Sequence, residues 1–195
     1  MADFEIAFGE TEMHEGGYVN DPVDRGGETY RGIARNFHPN WPGWRIIDQL
    51  KATQPDEFKR QIEEHQGLID MTKQFYRSQF WDPIQGGKIP NQSLANKIFD
   101  TGVNQGVASS VGYLQESLNL LNRNQQNYPD IKVDKKMGPI TLKSLQAFLK
   151  LESGHPDYLL KLLNLMQAAK YLEIMRRDST QERFARGWLN RVDLR

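Results

Sequence analysis

Apolar residues recur at helical spacing over most of the chain and at strand-like spacing in one short stretch only. Phe4 and Phe8 stand four apart behind Asp3, a good N-cap residue, which predicts an amphipathic first helix whose inward stripe continues through Thr11 to Glu15. Gly16 and Gly17 mark its end. Tyr18-Val19-Asn20 and Thr29-Tyr30-Arg31, with Gly26-Gly27 between them, read as a small hairpin or tight loop. Ile33 to Phe37 reads as one helical turn, and His38 to Trp44 as a loop with two tryptophans. A long helix then opens at Pro55-Asp56-Glu57 and carries Phe58, Ile62, Leu68, Phe75 and Phe80 as far as Trp81-Asp82-Pro83, with Gly67 as its weak point. After a linker over 85–91, Ser93 is expected to cap a helix that is interrupted over 100–106. Further helices are expected over 107–124, after Gly138-Pro139, and from Pro156 to Arg177, with a short segment from Phe184 closing the chain. The pattern predicts a mainly α protein with one small β element.

Length and composition bound this picture. A chain of 195 residues buries a sizeable core and forms one domain or two small, closely packed ones. The expected division is a first region over 1–91 and a second, helical region over 92–195 sharing its core. Hydrophobic content of 38% with 26% charged residues is that of a globular rather than a disordered chain. No apolar run approaches the roughly eighteen residues of a membrane span, so stable membrane insertion is not expected. Met1-Ala2-Asp3-Phe4-Glu5 lacks the basic and apolar regions of a secretory signal, which predicts synthesis in the cytoplasm. With no cysteine, disulfides and thiolate metal sites drop out.

Charge adds a polarity to the chain. Residues 1–91 hold ten Lys/Arg against fifteen Asp/Glu, and residues 92–195 hold fifteen against ten. The basic end, with Arg176, Arg177, Arg183, Arg186, Arg191 and Arg195, suits an anionic partner: nucleic acid, a membrane surface, or a bacterial wall with its peptide carboxylates. Solvated helix faces account equally for each single arginine. No nucleic-acid motif accompanies these residues, so a nucleic-acid partner is not expected. Gly86-Gly87-Lys88 lacks the glycine spacing and the following Ser/Thr of a phosphate loop. His14-Glu15 lacks a second histidine four residues on, and His38, His65 and His155 are scattered. No metal or cofactor is expected.

The candidate chemistry lies between residues 14 and 33. Glu15 falls on the inward side of the last predicted turn, where partial burial and the negative end of the helix dipole both disfavour its charged form. Both raise its pKa, as a general acid near neutral pH requires. A tight turn would fold Asp24 and the Thr29 hydroxyl back toward it, and a protonated acid, an ionised acid and a hydroxyl are the minimal set for cutting a glycosidic bond. The same residues also fit a solvated helix-end acid followed by ordinary turn formers. Tyr18, Asp21 and Tyr30 flank these groups as candidate substrate contacts. Trp41 or Trp44 would suit a sugar-ring face or core packing under the loop. Asp100 and Asn104, one helical turn apart, would reach a sugar from the far wall of a groove, or serve helix capping and local hydrogen bonds.

Glu15-Gly16-Gly17-Tyr18-Val19-Asn20-Asp21-Pro22, followed by Asp-x-Gly-Gly-x-Thr-x-x-Gly-Ile over 24–33, resembles the signature of the glycoside hydrolase family 108 muramidases. These are phage endolysins and secretion-associated lysozymes. The resemblance implies a lysozyme-like helical fold with a small β-hairpin beside the cleft, and it places the family's catalytic glutamate on Glu15. The spacing of Glu15, Asp24 and Thr29 is also similar to that of T4-type phage lysozymes, which implies supporting roles for Asp24 and Thr29. One departure is Tyr30-Arg31, where the family usually shows Asn or Lys after the threonine; it bears on a substrate contact. Leu114-Gln115-x-x-Leu118-Asn119 with Val133-Asp134-x-x-x-Gly138-Pro139-x-Thr141, and the Gly187-Trp188-Leu189-Asn190-Arg191-Val192 ending, resemble the peptidoglycan-binding region that accompanies the family. The implied activity is hydrolysis of the β-1,4 bond between N-acetylmuramic acid and N-acetylglucosamine in the peptidoglycan strand, for lysis, wall remodelling or secretion. Without a signal, a holin or specialised export machinery would have to deliver the protein to the wall. A non-catalytic, peptidoglycan-binding secretion accessory protein is the other reading.

Overall fold

A computed structural model of the chain describes residues 1–12, 17–20, 26–152 and 154–192. It is mainly α, with one three-stranded antiparallel sheet among the described residues. The chain forms two compact units, Phe8–Ser78 and Met1–Ala7 with Gln79–Arg195. Helix α1 (Phe4–Glu12) starts as its sequence predicts: the Asp3 carboxylate accepts the Glu5 N–H at 2.7 Å.

In the Phe8–Ser78 unit, β1 (Tyr18–Asn20), β2 (Glu28–Tyr30) and β3 (Ile33–Ala34) pair in sequence order. Tyr18 lies opposite Tyr30, Val19 opposite Thr29, and Tyr30 opposite Ile33. Arg31 (φ 43°) and Gly32 (φ 77°) make the two-residue turn into β3, both in the left-handed region that a type I′ hairpin requires. Residues 33–34 are therefore strand and not the helical turn expected. Trp41, Trp44, Ile47, Phe58 and Ile62 of the same unit are buried, and the hairpin packs Tyr30 on Trp41 and Tyr18 on Phe58.

Helix α2 (Gly43–Thr53) occupies residues the pattern left without a helix. Its inward stripe is short, Trp44 and Ile47, and its start is masked by the tryptophan loop. Gly43 opens it because a Cβ there would come within 2.1 Å of the Trp41 ring. The single helix expected after Pro55 is two, α3 (Phe58–Glu64) and α4 (Gln66–Tyr76), followed by a π-helical turn over Arg77–Trp81. The break falls at His65, whose extended backbone and side chain cap α4 by accepting the Leu68 N–H. The Phe8 and Tyr76 rings meet edge to face, with centroids 5.5 Å apart.

The other unit is built on α5 (Gln92–Gln105), α6 (Val107–Leu120), α7 (Pro139–Lys150), α8 (Pro156–Arg177) and α9 (Ala185–Asn190). Phe4, Trp81 and Phe99 pack edge to face at one end of its core. Asn91, not Ser93, caps α5 by accepting the Leu94 N–H at 3.0 Å. The helix runs unbroken through 100–105 to Gly106, because buried Thr101 and Gly102 pack inward and tertiary contact overrides the weak local propensity. The two motif pieces of the C-terminal region are joined directly. Gln115 donates to Asp134, to the Lys136 carbonyl and to Thr141 at 2.8–3.1 Å, and accepts the Lys135 N–H at 2.8 Å. Asn119 exchanges both amide bonds with the Ile131 backbone. These residues staple the loop over 121–138 onto α6.

Candidate active site

Glu15, Asp21 and Asp24 lie outside the described residues. The described part of the site is the hairpin that follows them. Thr29 sits mid-strand in β2, opposite Val19, with its hydroxyl donating to the Gly27 carbonyl at 3.4 Å. A hydroxyl that donates keeps its own lone pairs as acceptors. Gly17 is fastened to the hairpin's far turn: its carbonyl accepts the Arg31 N–H at 3.0 Å. The Arg31 carbonyl in turn accepts the Tyr76 hydroxyl at 2.9 Å.

Strand alternation puts Glu28 and Tyr30 on the face opposite Thr29. Tyr30 is buried, donating its hydroxyl to the Ile62 carbonyl at 2.9 Å and stacking on Trp41 with centroids 5.9 Å apart. Trp41 is buried as well, with the ring of Trp44 edge-on to it. Tyr18 is half-buried, packed on Phe58, with the Lys51 ammonium over its ring. Burial pushes the Tyr18 phenol up despite the opposing hydrogen bond with Lys51.

Glu28 is the group that sequence reasoning passed over. Its side chain is 10% exposed and its two oxygens are taken by Lys51 and, at 2.7 Å, by Arg35. Arg35 also holds Asp48 of α2 through two parallel bonds, one at 2.7 Å, and lies over the Trp44 ring. Burial pushes the Glu28 carboxyl up, but hydrogen bonds from Lys51, Arg35 and Tyr18 outweigh it and hold it below the usual glutamate value. This network clamps β1 and β2 to α2. A signal for it existed: an acid two residues before a buried aromatic on one strand shares that aromatic's face, and a charge there needs partners.

Asp100 and Asn104 belong to the other unit, and α8 takes up both. Asp100 pairs with Arg191 at 2.6 Å, both side chains being nearly buried, and accepts from Gln167. Asn104 accepts the Tyr171 hydroxyl at 2.6 Å, and Gln167 donates to the same oxygen at 3.0 Å. Burial first, then the Asp100 charge, pushes the Tyr171 phenol up to about 12, so at any physiological pH it keeps its proton and donates a hydrogen bond. Lys97 adds bonds to Gln167 and to the Arg191 carbonyl. Tyr171 stacks on Trp188, with centroids 4.9 Å apart. The network ties the chain's last helix to α5 and α8.

The mainly α fold with one small antiparallel sheet, on which Thr29 lies, is of lysozyme-like class. Residues 8–106 match the family model described as Glycosyl hydrolase 108, and the chain belongs to that family. Residues 109–193 match a second model, described as Predicted Peptidoglycan domain. The solved structure of Brucella abortus SagA is similar at 22% identity and a TM-score of 0.59, over 96% of this chain and 88% of that one, a likeness of fold. No curated protein matches the chain. The two family models together define a glycosidase that acts on peptidoglycan, hence at the cell wall. No helix among the described residues is long and apolar enough to cross a membrane.

Proposed function

We propose that the chain is an N-acetylmuramidase that cuts the β-1,4 bond between N-acetylmuramic acid and N-acetylglucosamine. The observation that carries this reading is the match of the glycosyl hydrolase model across residues 8–106, which include Glu15 in its Glu-Gly-Gly segment and Thr29 on β2. Glu15 protonates the departing glycosidic oxygen, a contribution of roughly 10² to 10⁴-fold. Asp24 stabilises the oxocarbenium-like transition state or orients the attacking water, and the Thr29 hydroxyl holds that water by accepting a hydrogen bond from it. Tyr18, at the half-buried edge of the hairpin, offers the sugar an aromatic contact.

In this reading residues 1–91 supply the catalytic region and residues 92–195 the wall-binding region. Export runs through a holin or a specialised machinery, and the biological setting is lysis, wall remodelling or secretion. The test is clearing of purified sacculi with mass spectrometry of the products. Wild type should release muropeptides with new reducing ends on muramic acid, and Glu15→Gln should lower the rate at least 10²-fold. Equal clearing by both proteins overturns the assignment of Glu15. Reducing ends on glucosamine overturn the bond, and binding to the wall without cleavage by wild type leaves a secretion-accessory protein.

A further inference from the structure

The loop that α6 staples down ahead of α7 carries a cluster of cations without acidic partners. Lys132, Lys135 and Lys136 are all exposed, and among the described residues none of the three is held in an ion pair. One acid stands among them. The Asp134 carboxylate accepts the Gln115 amide at 2.8 Å and the Lys136 N–H at 3.0 Å. Those two bonds hold it below the usual aspartate value, and the charges of Lys136 and Lys132 add to the effect, so the loop keeps one negative charge against three positive. The loop is fixed although it has no regular secondary structure. Besides Gln115 and Asn119, Gln85 holds it by donating to the Met137 carbonyl at 2.6 Å. Lys135 is in the left-handed region (φ 63°), and its stem lies on α6 at Gly112, where a Cβ would come within 3.2 Å of the Lys135 Cγ. Val133 within the loop and Ile140 just after it are 42% and 70% exposed. Cations in excess of their acids, on a loop that loses little freedom when it binds, form a docking surface for an anion.

We propose that this loop is the face of the 92–195 region that grips peptidoglycan, its lysines pairing with the carboxylates of the stem peptides. The proposal rests on the wall-binding reading of that region and names the surface and the chemical group which that reading leaves open. The loop lies within residues 109–193, the stretch matched by the peptidoglycan model. Stem peptides repeat along a glycan strand, so they offer carboxylates at intervals to a rigid set of cations. Val133 and Ile140 give the peptide itself an aliphatic contact. An anionic membrane is the competing polyanion. It is disfavoured because residues 131–143 include no aromatic residue to anchor at the headgroup level. The arginine-rich end is a weaker candidate for the wall, since Arg191 is taken up by Asp100 and Arg183 lies over the Phe184 ring.

Sedimentation of the full chain with purified sacculi tests it, in a Glu15→Gln parent that leaves the wall uncut. Lys132→Gln/Lys135→Gln/Lys136→Gln should weaken binding about tenfold, and the corresponding three Lys→Arg substitutions by less than about twofold. Arg176→Gln/Arg177→Gln/Arg186→Gln removes the same charge elsewhere and should also stay within about twofold of the parent. On sacculi with their carboxylates amidated, the lysine-to-glutamine protein and its parent should bind alike. The melting temperature of the lysine-to-glutamine protein should stay within about 2 °C of the parent, because exposed side chains are exchanged. If it falls further, the three single Lys→Gln variants carry the test, each weakening binding about twofold. An equal loss on replacing the arginines shows a response to net charge alone and overturns the proposal. So does a loss that persists on amidated sacculi, or a lysine effect seen only on phosphatidylglycerol vesicles. A parent that fails to sediment with native sacculi defeats the wall-binding reading itself.

Discussion

Replacing Glu28 by glutamine tests the clamp beneath the hairpin. The substitution keeps the side chain's shape, so no cavity opens, and removes one charge from between Lys51 and Arg35. Charge-assisted hydrogen bonds in a buried setting contribute about 1.5–3 kcal/mol each. Here the acid is 10% exposed but Lys51 and Arg35 remain 32% and 33% exposed, and Arg35 keeps Asp48 as a second partner. Water recovers part of both cations, so the expected loss is about 1–2 kcal/mol at pH 7. The sign with pH follows from the net downward shift of the Glu28 carboxyl on folding. Its stabilisation is fully present above the unfolded pKa of about 4.3 and is lost as pH falls through the lower folded value. Urea denaturation of both proteins at pH 7 and pH 3, followed by circular dichroism, measures this. The midpoint of Glu28→Gln should fall by about 0.5–1 M at pH 7. The gap should narrow at pH 3. A loss under about 0.5 kcal/mol at pH 7, or a gap independent of pH, would show that the acid does not hold the hairpin to α2.

Arg191→Ala strands the nearly buried Asp100 carboxylate and should cost about 3 kcal/mol in denaturant unfolding, with Arg191→Lys milder. Gln115→Ala removes four hydrogen bonds from a side chain 1% exposed and should cost about 2–3 kcal/mol, with faster protease cutting in the loop over 121–138. Gly43→Ala forces the Trp41 ring aside and should lower stability by about 1–3 kcal/mol, with a shift in tryptophan fluorescence.

Several elements were written locally and could be read without coordinates. Asp3 before Phe4 and Phe8 set the start of α1, and the tyrosine-bearing stretches around Gly26-Gly27 set the hairpin. Pro156 to Arg177 is one helix over the range its pattern gave. Such signals depend on neighbours a few residues away, through caps, turn-forming glycines and apolar spacing. The motif around Glu15 likewise pointed to the family, which the model match over residues 8–106 then showed.

Tertiary structure decided what side chains at distant positions do for one another. Trp41 and Tyr30 spend their ring faces on each other, a partnership that the loop and strand patterns do not encode separately. Asp100 and Asn104 share a helix face as their spacing required, but only the fold brought Arg191 and Tyr171 to them. The acid at Glu28 found two cations and a phenol from other elements, and that company set its charge state. Local sequence sets the backbone's options and the type of each side chain. Burial and pairing energies depend on which surfaces meet, and those are fixed when distant segments pack.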